Sequence, residues 1–254
     1  MSSRLRVDRV SKNFGGLNAL KEVSFEVEKG EIRGLIGPNG AGKTTLFNIL
    51  SGVLKPSSGR VVFEGEEITG RKPYEVAKLG LSRTFQNIRL FNEMNVVENV
   101  MAGQHCRTRT ELLGAIFKGQ GVDAEERSIR EKALQILEVV GLTGKRDYPA
   151  GSLAYGEQRL LEIGRALATD PKMILLDEPS AGMNPQETAS IMKLIRSFSL
   201  QSYTILLIEH DMKVLMGISD RVTVLNFGEK IAEGRPDEIQ RNEQVIEAYL
   251  GQEW

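Results

Sequence analysis

The sequence predicts an α/β fold built on a mostly parallel sheet and interrupted by a helical insertion. Three observations carry this. The runs at 173–176 and Thr204–Ile208 are apolar throughout, as in strands covered on both faces, and Ile32–Ile36 reads as a third buried strand. Helical spacings alternate with these runs, the order expected of an α/β domain. Between about residue 87 and residue 151 strand signals vanish and helical spacings take over.

Taken in order, Val23, Phe25 and Val27 alternate with Ser24, Glu26 and Glu28, the period of a half-buried strand. Lys29-Gly30 turns the chain into Ile32–Ile36, which runs into a glycine-rich loop at 37–42 and a helical stretch at 43–50. Gly52 and the 56–59 segment break the chain before a short strand at 60–64. In the insertion Ile129, Ala133, Ile136, Leu137 and Val140 keep helical spacing, and Gly141 stands where a C-cap glycine belongs; 104–123 has no clear period. Leu160, Ile163 and Leu167 form a helix face that Pro171 closes, and Ile191, Leu194, Ile195 and Phe198 mark another helix. The segments 222–225 and 230–232 flank Phe227-Gly228-Glu229 as a hairpin, and 236–250 reads as a mostly polar helix.

Composition narrows the function classes. The 254 residues carry 33 Lys+Arg against 34 Asp+Glu, a balance that argues against a dedicated nucleic-acid binder. The single cysteine, Cys106, can form no intrachain disulfide, and His105-Cys106 lacks the further Cys a metal site would need. The first ten residues show no apolar signal region, and no apolar run approaches the roughly 18 residues of a membrane span. The expected location is therefore cytoplasmic, with any membrane attachment made through a partner.

Three strand ends carry the chemistry. Gly37-Pro38-Asn39-Gly40-Ala41-Gly42-Lys43-Thr44 fits the P-loop pattern G-x-x-x-x-G-K-[ST]. Its glycines let backbone N–H groups curl around a phosphate, and the following helix N-terminus favours negative charge. Lys43 would reach the β- and γ-phosphates of a nucleotide, Thr44 would ligate Mg²⁺, and Thr45 would extend the cradle. Asp177-Glu178 closes the second strand. Neighbouring strand residues point to opposite sides, so Asp177 is expected in the Mg²⁺ shell and Glu178 on the attacking water. His210 follows the third strand. Ligands gather at the carboxyl ends of parallel strands, which draws His210 into the same site.

With these residues in place, the chain resembles the nucleotide-binding subunit of ABC transporters from Phe14 to the hairpin near Gly228. Phe14 resembles the aromatic that stacks on adenine; Gln86, in Arg83-Thr84-Phe85-Gln86, resembles the glutamine that senses Mg²⁺ and links the core to the helical part. Leu153-Ala154-Tyr155-Gly156-Glu157 occupies the place of the signature, Ser180-Ala181-Gly182-Met183-Asn184 that of the dimer-contact loop, and His210 that of the switch histidine. The resemblance implies a P-loop NTPase (RecA-like) core with an N-terminal antiparallel β subdomain. The core and β subdomain would take 1–86 and 161–228, the helical subdomain 87–160, and a hairpin/helix extension 229–254, all within one domain over 1–254. It also implies two subunits sandwiching two ATPs. Lys43, Thr44, Gln86 and Asp177 would hold MgATP, Glu178 would activate water and His210 would contact the γ-phosphate, while Ala154, Tyr155, Gly156 and Glu157 would face the partner's nucleotide.

Departures from the pattern narrow it. Ala154 replaces the usual signature serine, removing a hydrogen bond to a charged group worth about 1.5–3 kcal/mol. Tyr155 replaces a glycine, Glu157 a glutamine, and Asn184 a common aspartate. The Leu-Ala-Tyr-Gly signature, Arg-Thr-Phe-Gln, the long insertion after Gly103 and Ile208-Glu209-His210 are similar to ATPases of branched-chain amino-acid importers. That group implies a second, different ATPase subunit, two transmembrane permeases and an external solute-binding protein at the cytoplasmic face of the membrane. Urea import and lipid or lipopolysaccharide export stay open as alternatives. So does a soluble ABC ATPase acting on nucleic acid or the ribosome, although one P-loop and about 60 inserted residues argue against it.

Overall fold

The computed structural model describes residues 3–84, 88–104 and 120–249, so His105, Cys106 and Trp254 lie outside it. Two long strands open the chain, β1 (Ser3–Phe14) and β2 (Leu17–Glu28). The sequence reading finds only the second half of β2, and the reason is local. Register shifts interrupt the β1–β2 ladder, and Arg9 (φ 47) and Glu22 (φ 48) take left-handed conformations. The buried positions Leu5, Val7 and Val10 therefore step by two and then by three, so the period is lost.

Next come β3 (Ile32–Ile36), α1 (Lys43–Leu50), β4 (Ser58–Phe63) and the two-residue β5 (Glu66–Glu67). Two short elements without a sequence signature follow, α2 (Pro73–Leu79) and β6 (Leu81–Arg83). The insertion holds α3 (Val96–Gln104) and α4 (Gln120–Val139), and α5 (Tyr155–Ala168) leads back to the sheet. The chain then runs through β7 (Met173–Asp177), α6 (Pro185–Leu200), β8 (Thr204–Ile208), α7 (Met212–Ile218), β9 (Arg221–Asn226) and β10 (Glu229–Gly234). The C-terminal helix of the sequence reading is two pieces, α8 (Pro236–Ile239) and α9 (Glu243–Ala248), with Asn242 capping the second through Val245 N–H.

The strands form a four-stranded sheet, β2-β1-β4-β5, and a six-stranded sheet, β10-β9-β3-β8-β7-β6. The first is antiparallel; the second is parallel apart from β9–β10, the mixed architecture expected. The unbroken apolar runs follow from double coverage. On β7, Met173 and Leu175 pack into the core shared with the antiparallel sheet and α1, while Ile174 and Leu176 pack into the core beneath α3 to α6. β8 divides the same way, Leu206 and Ile208 against Ile205 and Leu207. With an apolar layer on each face, no alternation survives.

Two expected divisions meet continuous structure. Helix α5 passes through 160–161, its Leu161 and Ile163 sharing a core with Val100, Ile136 and Leu137 of the insertion and with Leu176 of the sheet. Across 228–229, β9 and β10 pair within one sheet.

Candidate active site

Strand β3 delivers the phosphate-type loop to the carboxyl edge of the parallel strands. A Cβ on Gly37 would lie 2.2 Å from the Leu225 carbonyl oxygen. Gly42, the N-cap of α1, has φ 102, and a Cβ there would lie 2.6 Å from the Ala19 carbonyl oxygen. Glycine is thus demanded by space at one position and by space and conformation at the other. Gly42→Ala is expected to cost about 1–3 kcal/mol through left-handed strain alone. Urea unfolding of the variant beside the parent checks this.

Lys43 is 8% exposed, and its Nζ bends back to donate to Gly37 O at 2.5 Å and Pro38 O at 3.0 Å. Burial draws its ammonium below the usual lysine range, and the carboxylates of Glu178 and Asp177 oppose that shift. Asn39, Gly40, Ala41, Gly42, Lys43, Thr44 and Thr45 line a cleft of about 740 Å³, which Phe14, Glu178, His210 and Phe227 also line. Phe14, expected ahead of the first strand pair, is instead the last residue of β1; Lys12 Nζ lies 5.0 Å from its ring centroid. Phe227, on the β9–β10 turn, was read only as a hairpin residue.

The acid pair separates, though not by strand alternation. β7 ends at Asp177, and Glu178 turns off it with φ 51, its N–H donating to Ile208 O at 3.0 Å. Asp177 is buried and does not line the cleft; its Oδ2 accepts from Arg83 Nη2 at 2.9 Å. Arg83 Nη1 also donates to Asn48 Oδ1 (2.7 Å) and Ser51 Oγ (3.1 Å), tying β7 to the far end of α1. Glu178 faces His210, whose Nε2–H donates to Glu178 Oε1 at 2.7 Å. Three strand ends therefore converge through the P-loop, Glu178 and His210, while Asp177 sits just behind.

The signature segment stands apart from this cleft. Ala154 is the N-cap of α5, and its N–H donates to Glu157 Oε2 at 3.2 Å; Lys145 Nζ also holds Glu157, at 2.6 Å. Glu157 thus caps its own helix. A Cβ on Gly182 would lie 3.3 Å from the exposed Tyr155 ring, and one on Gly156 would lie 3.2 Å from Glu187 Oε1, so the signature borders the 180–184 turn. Asn184 caps α6 by accepting from Glu187 N–H at 3.0 Å, a task an amide performs as well as a carboxylate. Gln86 lies outside the described residues. Arg83 and Glu209 escaped the sequence reading. Each was visible only as a charge beside a motif, Arg83 in Arg83-Thr84-Phe85-Gln86 and Glu209 between Ile208 and His210.

Known proteins match along the full chain. The family described as ABC transporter matches residues 20–181, and the one described as Branched-chain amino acid ATP-binding cassette transporter matches 229–254. The chain is 46% identical over 249 residues to the high-affinity branched-chain amino acid transport ATP-binding protein BraF of Pseudomonas aeruginosa, covering 98% of each chain. It is 44% identical over 249 residues to the corresponding protein LivG of Escherichia coli, again covering 98% of each. A nucleotide-free ATP-binding cassette from an ABC transporter superposes with a TM-score of 0.86 at 38% identity, over 99% of this chain and 100% of that one. An ADP-conformation cassette gives 0.87 at 38% identity with the same coverage. A P-loop, Glu178 and His210 gathered on one cleft, within a cassette fold matched from end to end, establish that the chain belongs to the ABC transporter family, as an ATP-binding cassette akin to the branched-chain amino acid transport ATP-binding proteins.

Proposed function

We propose that this cassette is the ATP-hydrolysing motor of an importer for branched-chain amino acids. The observation that carries the ATP-hydrolysing part is the shared cleft, where the P-loop, Glu178 and His210 meet; the cargo is supported by the likeness to branched-chain amino acid transport ATP-binding proteins. ATP would lie with its phosphates in the loop 37–44 and its base toward Phe14 at the rim. Lys43, drawn over the loop by two carbonyls, is pre-placed to turn its ammonium donors onto the β- and γ-phosphates. The charge is best retained when anionic oxygens replace those carbonyls.

The donor set suits Mg²⁺. Among the described residues no group of three or more His, Cys, Asp or Glu side chains could hold an ion alone. Mg²⁺ is commonly bound by one or two protein oxygens together with substrate phosphates and water. Thr44 and Asp177 would hold it, with Gln86, and when bound it would neutralise charge on the phosphates. Arg83 keeps Asp177 oriented beforehand. Glu178 would accept a proton from, or polarise, the attacking water, and His210 would orient Glu178 before meeting the γ-phosphate.

The signature stands outside its own cleft, which supports a head-to-tail pair in which Ala154, Tyr155, Gly156 and Glu157 face the nucleotide of a second ATPase chain. Without a serine hydroxyl, that contact would rest on backbone N–H groups at the start of α5. Permeases would dock between the core and the helical insertion, where a groove of about 750 Å³ is lined by Val53, Leu90 and Phe91 with Arg89 and Arg165. Among the described residues no helix is long and apolar enough to cross a membrane, in keeping with peripheral attachment at the cytoplasmic face. An external binding protein would supply cargo. In a strain carrying only Lys43→Ala, uptake of branched-chain amino acids is expected to be lost; normal uptake would contradict the reading.

A further inference from the structure

Glu209 is a buried carboxylate with no part in the chemistry above. It lies between Ile208, the last residue of β8, and His210, and it is 5% exposed. Its Oε1 accepts two hydrogen bonds from one residue, the Ser180 backbone N–H at 2.9 Å and the Ser180 hydroxyl at 2.7 Å. Ser180 follows Glu178 by two positions in the turn that leads from β7 to α6. A closed ring results. The backbone joins Glu178 to Ser180, Ser180 donates to Glu209, the backbone joins Glu209 to His210, and His210 Nε2–H donates to Glu178 Oε1 at 2.7 Å.

The position of Glu178 calls for such a fixture. A non-glycine residue at φ 51 persists only where its surroundings over-determine it. On one side Glu178 N–H is held by Ile208 O, and on the other Ser180 is clamped by Glu209, so both flanks of the turn are tied to the β8 end. Burial pushes the Glu209 carboxyl above the usual range, while the Ser180 donors pull it back. A carboxylate kept in so dry a place has its cost offset by the two Ser180 donors together with the His210 backbone N–H.

We infer that Glu209 is a positioning residue for ATP hydrolysis: by holding Ser180 through both its donors, it sets the Glu178 turn against His210 and so aims the carboxylate that activates water. The inference rests on the reading of Glu178 given above.

The test uses the complete transporter, with this chain beside its partner ATPase and permeases in lipid vesicles, and reads kcat and KM for MgATP. Glu209→Ala is expected to lower kcat about ten- to a hundredfold, the scale of a slightly misplaced catalytic group, with KM within about twofold. Glu209→Gln keeps a carbonyl oxygen where Oε1 stands and is expected to restore kcat to within about threefold of the parent. Ser180→Ala keeps the backbone donor and is expected to fall between the two. In a Glu178→Gln background, Glu209→Ala should add no further loss, because both act through one group. The inference is overturned by a Gln variant as slow as Ala, by losses that multiply in the Glu178→Gln background, or by a raised KM at unchanged kcat. If Glu209→Ala does not fold, Ser180→Ala at parental kcat overturns it instead. Parental turnover in Glu178→Gln alone would defeat the underlying reading of the site, a separate failure.

Discussion

Glu178→Gln is expected to lower ATP turnover by about 10²–10⁴-fold, the usual contribution of a positioned acid–base group, while MgATP still binds. The argument is geometric. Glu178 lines the cleft beside Lys43 and His210, and its carboxylate is the group that His210 Nε2–H holds at 2.7 Å. An amide keeps the shape and one acceptor oxygen but cannot take up a proton from water. Lys43, Thr44 and the loop backbone are untouched, so affinity should stay within about threefold of the parent, as expected when only a transition-state interaction is removed. Single-turnover hydrolysis beside equilibrium nucleotide titration separates the two quantities. A variant that loses affinity and turnover together would place Glu178 in binding rather than chemistry.

Arg33→Ala is expected to be the most damaging change far from the cleft. Arg33 lies on β3, the strand that delivers the P-loop, and it is 2% exposed. Its guanidinium donates to Glu31 Oε1 (2.6 Å), Glu233 Oε1 (2.5 Å), Thr223 Oγ1 (3.2 Å) and the Glu26 carbonyl (2.7 Å). One side chain thereby joins β2, β3, β9 and β10. Removing it takes the guanidinium from the buried Glu31 carboxylate, which keeps only the Glu28 N–H, and leaves Glu233 with Lys230 alone; breaking a buried pair from one side costs about 3–5 kcal/mol. The Glu233 carboxyl is held below the usual range by Lys230 and Arg33 against the opposing effect of burial, the signature of a charge that relies on these partners. Chemical denaturation of the two proteins checks the size of the effect. Replacing Arg33, Glu31 and Glu233 together by apolar residues should recover much of the loss, since no carboxylate would then be left unpaired.

What the sequence disclosed followed from contiguity. The P-loop is an eight-residue pattern set between a strand and a helix, and Glu178 and His210 each sit two residues beyond an apolar run. Such features need no knowledge of the third dimension. The Arg83–Asp177 pair spans 94 positions and becomes visible only when β6 lies beside β7. Asp177 was foreseen as an ion ligand but not as the partner of an arginine that reaches α1. Strand β1 was hidden by the bulge at Arg9, and α2 and β6 by being only seven and three residues long. Alternation within a strand gave the right separation of Asp177 from Glu178 for the wrong reason, because the divergence comes from a left-handed residue just past the strand end.

The central claim, a motor cassette working in a branched-chain amino-acid importer, is tested most directly by isolating tagged Glu178→Gln chain from native membranes in MgATP and identifying what accompanies it. Slowed hydrolysis should hold the nucleotide-bound pair together. Recovery of a second, different ATPase with amino-acid-type permeases is the predicted result. Recovery of the chain only with itself, or with permeases of an export system, would contradict the importer assignment.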